Sequence, residues 1–95
     1  MFASYIEMKM QPGKMTEAKV LTNTLEPEIK ALGVKQFLLI DKGNDEALGI
    51  AIYETAAQQE AAAEGARAVI SKYSEMFSAP PERKQVEVTH NFQQP

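Results

Sequence analysis

The chain has 95 residues, a net charge of −3 and no cysteine, which excludes disulfides, thiolate catalysis and cysteine-bound metals. Its lysines and arginines are scattered along the sequence, not gathered in a basic stripe, so nucleic acid is not an expected partner. The longest apolar run, Phe37 to Ile40, is far too short to span a bilayer, and no signal-like segment follows Met1, so the expectation is a cytoplasmic protein away from the membrane.

One domain over residues 1–95 is expected, with a frayed tail at 93–95. A chain of this size buries only about 60–65% of its unfolded surface on folding, so a second copy would add useful cover. "FASYIEMKM", Phe2 to Met10, alternates with period two and predicts a half-buried strand. Phe2, Ile6, Met8 and Met10 share one side; Tyr5, Glu7 and Lys9 share the other. "QPGK" breaks it. From Met15 the period lengthens, and Ala18, Leu21, Leu25, Ile29 and Leu32 form a helical stripe. Pro27 lies inside that stripe and predicts a kink or two helical pieces near Thr24 to Glu26. Gly33 suits the helix end.

"KQFLLID" and "ALGIAIYE" predict the second and third strands, joined by the polar hairpin connector "KGNDE". In the third, Leu48, Ile50 and Ile52 fall on one face, and Gly49, Ala51 and Tyr53 on the other. Thr55 with Gln58 matches a capping box that opens a second helix. Its stripe runs through Ala62, Gly65, Ala66, Val69, Tyr73, Met76 and Phe77, and Pro80 with Pro81 ends it. "KQVEVTHNF" predicts a fourth strand, with Val86, Val88, His90 and Phe92 on one side.

The order strand, helix, strand, strand, helix, strand predicts an α+β, ferredoxin-like βαββαβ fold: a four-stranded antiparallel sheet with two helices on one face. We expect the helices to cover the Ile/Val/Leu face. The other face, carrying Tyr5, Ala51 and Tyr53 beside Glu7, Gln85, Glu87 and Thr89, is left without cover. Pairing of two such faces predicts a homodimer.

This arrangement, with "QPGK" before the first helix, "LLIDKGNDEALGIAIYET" and the alanine-rich start of the second helix, resembles the dimeric α+β barrel superfamily. Within it, the chain is similar to the antibiotic biosynthesis monooxygenase-like domains, over Phe2 to about Phe92. The resemblance implies a dimeric barrel. It also implies that the chain is either a cofactor-independent monooxygenase-like enzyme acting on a small aromatic or polyketide-like compound, or a non-catalytic small-ligand-binding or structural dimer. No metal and no other cofactor is expected. Haem-degrading relatives combine an Asn on the first strand, a Trp on the third and a His on the second helix; this sequence has none of the three.

Tyr53 occupies the place where those domains often carry Trp. It is the first candidate catalytic residue, since a Tyr supplies a flat apolar wall and a hydroxyl for a substrate oxyanion; packing is the plainer reading. His90, the only histidine, is the second, as a proton shuttle. Candidate substrate-binding residues are Phe2, Asn23, Ala62, Gly65, Tyr73 and Phe77. The small residues of the second helix either pack tightly on the sheet or leave a gap for a ligand. Tyr73, Phe77 and Phe2 are placed to line such a gap. Asn23 carries the backbone carbonyl freed by Pro27. Glu7, Gln85 and Glu87, if buried by dimer closure, offer a further acid–base group.

Overall fold

A computed structural model describes residues 1–95. Four strands form one antiparallel sheet: β1 (Phe2–Lys9), β2 (Gln36–Gly43), β3 (Glu46–Tyr53) and β4 (Glu82–Glu87), in spatial order β2-β3-β1-β4. Helical segments α1 (Met15–Thr24) and α2 (Glu26–Lys30) join β1 to β2; α3 (Ala56–Ala61) and α4 (Ala63–Ser71) join β3 to β4. This is the expected ferredoxin-like βαββαβ fold.

Each break in the helices has a local cause. Pro27 falls in the first turn of α2, where its missing N–H is least harmful, so the first helical run divides at Leu25. The second divides at Ala62 and ends at Ser71, earlier than its apolar stripe suggests; a 3₁₀ turn over Ser74–Met76 carries the chain on. Thr55 is extended (φ −134°, ψ 158°), and its hydroxyl accepts the Gln58 N–H at 3.1 Å, capping α3. The hairpin between β2 and β3 is tighter than expected. Asn44 and Asp45 both take positive φ (55° and 61°) between the paired Gly43 and Glu46. A two-residue turn of that kind matches the twist of the strands, and Asn and Asp tolerate it.

Register decides which side each strand residue faces. Ile6 lies opposite Gly49 and Arg83, Ser4 opposite Ala51 and Gln85, and Phe2 opposite Tyr53 and Glu87. Phe37 and Leu39 of β2 stand opposite Ala51 and Gly49. Directly opposed residues point to the same side of a sheet, so all of these share the helix-covered face with Met8. The open face carries Leu38, Ile40, Leu48, Ile50, Ile52, Tyr5 and Val86, with Glu7, Lys9, Lys84 and Glu82. This corrects the expected facing in two strands. Tyr53 and Ala51 turn toward the helices, while Leu48, Ile50 and Ile52 turn away. In β4, Val86 lies on the open face and Gln85 and Glu87 on the covered one, so Glu7 shares a face with neither. Period two defines two faces but not which of them is covered.

The core lies between sheet and helices, built on Ile6, Met8, Met10, Ala18 and Ala47, with Leu25, Ile29 and Tyr73 beside them. No helix is long and apolar enough to cross a membrane.

Candidate functional site

Small residues leave a gap in the covered face. Ser4, Gly49 and Ala51 present little side chain where the facing α4 presents Ala66, Val69 and Ile70. The result is a cavity of about 70 Å³, closed above by Ile29, Leu32 and Tyr73 and below by Ile6, Phe37 and Leu39. It has room for more than one water molecule, yet is about half the ~150 Å³ cavity known to accept benzene.

Tyr53 forms one wall. Its side chain is wholly buried. Tyr53 lines the cavity, and its hydroxyl has no hydrogen-bond partner within the chain. Tyr73 forms another wall, but its hydroxyl is occupied. Thr22 Oγ1 donates to the Ala18 carbonyl at 2.7 Å, so the 2.6 Å contact between Tyr73 and Thr22 has Tyr73 as donor. Burial pushes the Tyr73 hydroxyl above its ordinary value of 10.0, against the opposing pull of Thr22.

A buried polar cluster adjoins the same cavity. Gln59 on α3 donates its Nε2 to the Ala3 carbonyl (2.8 Å) and to Ser4 Oγ (3.1 Å). Arg83 donates Nη2 to the same Ser4 Oγ at 2.9 Å. Ser4 and Gln59 are both buried. Ser4 and Arg83 line the cavity together with Tyr53. No His, Asp or Glu lines it. The sequence analysis missed Ser4, Gln59 and Arg83. The only available signal was a Ser on the apolar side of an alternating strand, at the position between Phe2 and Ile6.

The other candidates scatter. His90 lies beyond β4 in the exposed tail, its Nδ1 2.9 Å from Thr89 Oγ1 and its ring beside Phe92. β4 stops at Glu87, opposite Phe2 at the start of β1, short of the expected strand to Phe92, so no strand remains to hold His90 against the helices. Asn23 is exposed in a separate surface groove with Lys30 and Lys35. Phe2 sits half-buried beside Tyr53 without lining the cavity. Ala62 is buried at the break between α3 and α4 and does not line it. Gly65 serves close packing: a Cβ there would stand 2.5 Å from Leu32 Cδ2. Phe77 stacks on Tyr73 at 6.4 Å and faces a neighbouring cleft. Glu7 is exposed and pairs with Lys42 at 3.5 Å.

No family model matches this sequence, and no curated protein matches it. Solved structures do. A Nitrosomonas europaea protein of unknown function aligns at TM-score 0.81 and 16% identity, covering 99% of this chain and 94% of its own. A candidate antibiotic biosynthesis monooxygenase from Nitrosomonas europaea aligns at 0.76 and 14% identity, covering 95% of this chain and 100% of that one. Another from Caulobacter crescentus aligns at 0.75 and 14%, covering 94% and 90%. At such identities the likeness speaks for the fold and not for an activity. The chain shares the ferredoxin-like α+β fold of these structures, two of which are named as candidate antibiotic biosynthesis monooxygenases.

Proposed function

We propose that the helix–sheet cavity binds part of a small aromatic or polyketide-like compound, and that the chain acts on it as a cofactor-independent monooxygenase. The observation that carries this reading is the buried Tyr53, a phenol without a hydrogen-bond partner in the chain that stands in the wall of an apolar cavity. A phenolic or enolic oxygen of the substrate accepts its hydrogen bond, with Ser4 and Arg83 adding a second donor and a positive field. These groups favour the substrate's anion. Its proton goes to solvent, since no base lines the cavity. The electron-rich carbon then reacts with dioxygen: one oxygen atom enters the product as a carbonyl and the other leaves as water, R₂CH₂ + O₂ → R₂C=O + H₂O. The names of the fold neighbours support the same class of activity.

The protein works as a homodimer closed through the open sheet face. That reading is supported by Leu38, Ile40 and Val86, which are each about 40% exposed beside Leu48, Ile50 and Ile52. A cytoplasmic setting suits a chain without cysteine.

Oxygen uptake with hydroquinones and anthrone-type phenols tests the activity. Uptake that falls at least tenfold in Tyr53→Phe supports it; no uptake with any of them refutes it. A second reading, ligand binding without catalysis, is favoured by the lack of a base at the cavity and the distance of His90 in the tail. Binding without oxygen uptake would establish it.

A further inference from the structure

The chain contains two arginines, Arg67 on α4 and Arg83 on β4, 16 positions apart in sequence. The fold brings both to one cleft of about 730 Å³ that lies against the cavity. Ile6, Ile70 and Arg83 line the two spaces in common. Ser71, Ser74 and Ser78 add hydroxyls to the cleft, and no Asp or Glu lines it. That is unusual for a chain with 13 acidic residues against 10 basic ones. Six of its lysines stand within 4 Å of a carboxylate; neither arginine does. Arg83 gives one N–H bond to Ser4 and keeps the rest of its fork free.

An apolar cavity that opens beside two unpaired guanidinium groups has a defined chemical complement. We propose that the ligand is a carboxylate: its apolar body enters the helix–sheet cavity, and its carboxylate rests in the cleft between Arg83 and Arg67. A guanidinium fork matches a carboxylate in a two-bond geometry that a lysine does not offer. The anion is held at the mouth, in contact with water, so it is never fully desolvated. This inference rests on the reading of the cavity as a ligand site and adds the headgroup to it. It also explains why an arginine stands on the covered face of β4 in the row of Gly49 and Ile6, where an apolar residue would pack.

The test is a titration of the whole chain followed by NMR, with methyl signals of Ala66 and Ile70 as reporters. The probes are 3-methylbutanoate and phenylacetate, each beside its neutral amide, and acetate as an anion without a body. We expect at least one of the two larger acids to bind about tenfold or more tighter than its amide and than acetate. Arg67→Gln should remove that preference while leaving amide binding in place, and Arg83→Gln, which also alters the cavity wall, should remove the preference whatever it does to the amides. Ala66→Leu, which fills the cavity, should block acid and amide alike. Arg67 is exposed, so its variant keeps the test open should Arg83→Gln fail to fold. Amides that bind as tightly as the acids, still blocked by Ala66→Leu, would overturn the headgroup inference and leave the cavity reading intact. Acids that bind no tighter than acetate, indifferent to Ala66→Leu, would mark a surface anion site and overturn both. Absence of binding by every probe at tens of millimolar would also overturn both.

Discussion

The two faces of the sheet are built inside out relative to the usual expectation. The face under the helices carries small and polar residues at its centre, Ser4, Gly49 and Ala51, with Arg83 at its edge. The face without cover carries Leu38, Ile40, Leu48, Ile50 and Ile52. A sheet optimised for a monomer would put the large aliphatics inward, where each adds about 1.5–3 kcal/mol of burial. The difference teaches two things. The covered face gives up packing to hold a cavity, and the open face leaves an apolar patch that a second copy would cover.

That contrast is open to attack from either side. The largest effect is expected on the open face. Ile50→Asp puts a charge in the middle of the apolar patch and should turn a dimer into a 10.5 kDa monomer at micromolar concentration, read by sedimentation or light scattering. A wild-type chain that is already monomeric would remove the dimer from the picture. Next comes the covered face. Tyr53→Ala empties a wholly buried site and should cost about 3–5 kcal/mol of unfolding free energy. Tyr53→Phe should lose less than about 1 kcal/mol, because its hydroxyl has no protein partner to abandon. Equal losses in the two variants would mean that the hydroxyl is structural.

Ser4→Ala tests the polar cluster. It leaves Gln59 with the Ala3 carbonyl alone and takes away the Arg83 contact, at about 1–3 kcal/mol in denaturant melts. A smaller effect is expected at Gly65. An alanine gains about 1 kcal/mol of helix propensity but drives Leu32 Cδ2 aside, since its Cβ would stand only 2.5 Å away. Leu32 lines the cavity, so Gly65→Ala should change stability by less than about 1 kcal/mol and still weaken ligand binding. The smallest effect concerns pH. The Gly43 backbone N–H, helped by Lys19, holds Asp41 below its ordinary 3.8; Lys35 holds Glu54 below 4.5. Folded carboxyls of this kind contribute stability above their ordinary values and lose it as pH falls through the lower folded ones. Melting temperature should therefore drop as the pH passes below about 4, slightly, because both groups are exposed. Asp41→Asn should flatten part of that drop.

The candidate site was less legible in the sequence than the fold. Strand and helix order follow from local period and breakers: alternation in Phe2 to Met10, the stripe from Ala18 to Leu32, Pro27 dividing it, Thr55 opening the next helix. These are properties of neighbours in sequence. The site depends on pairs far apart. Ser4 meets Gln59 and Arg83 only through the register of β1 with β4 and the seat of α3 on the sheet. His90 drew attention by its chemistry, yet its strand partner ends before reaching it.

Order of elements and the fold class were therefore decided by the sequence, because hydrophobic period and backbone-restricting residues act over a few positions; the ends were not, since α4 stops at Ser71 and β4 at Glu87, short of the expected strand to Phe92. The tertiary structure alone decided which side of each strand is covered, that Tyr53 turns inward, and that two distant arginines share one cleft. Side-chain alternation is symmetric between two faces, and only pairing with other strands and a helix laid across one side breaks that symmetry.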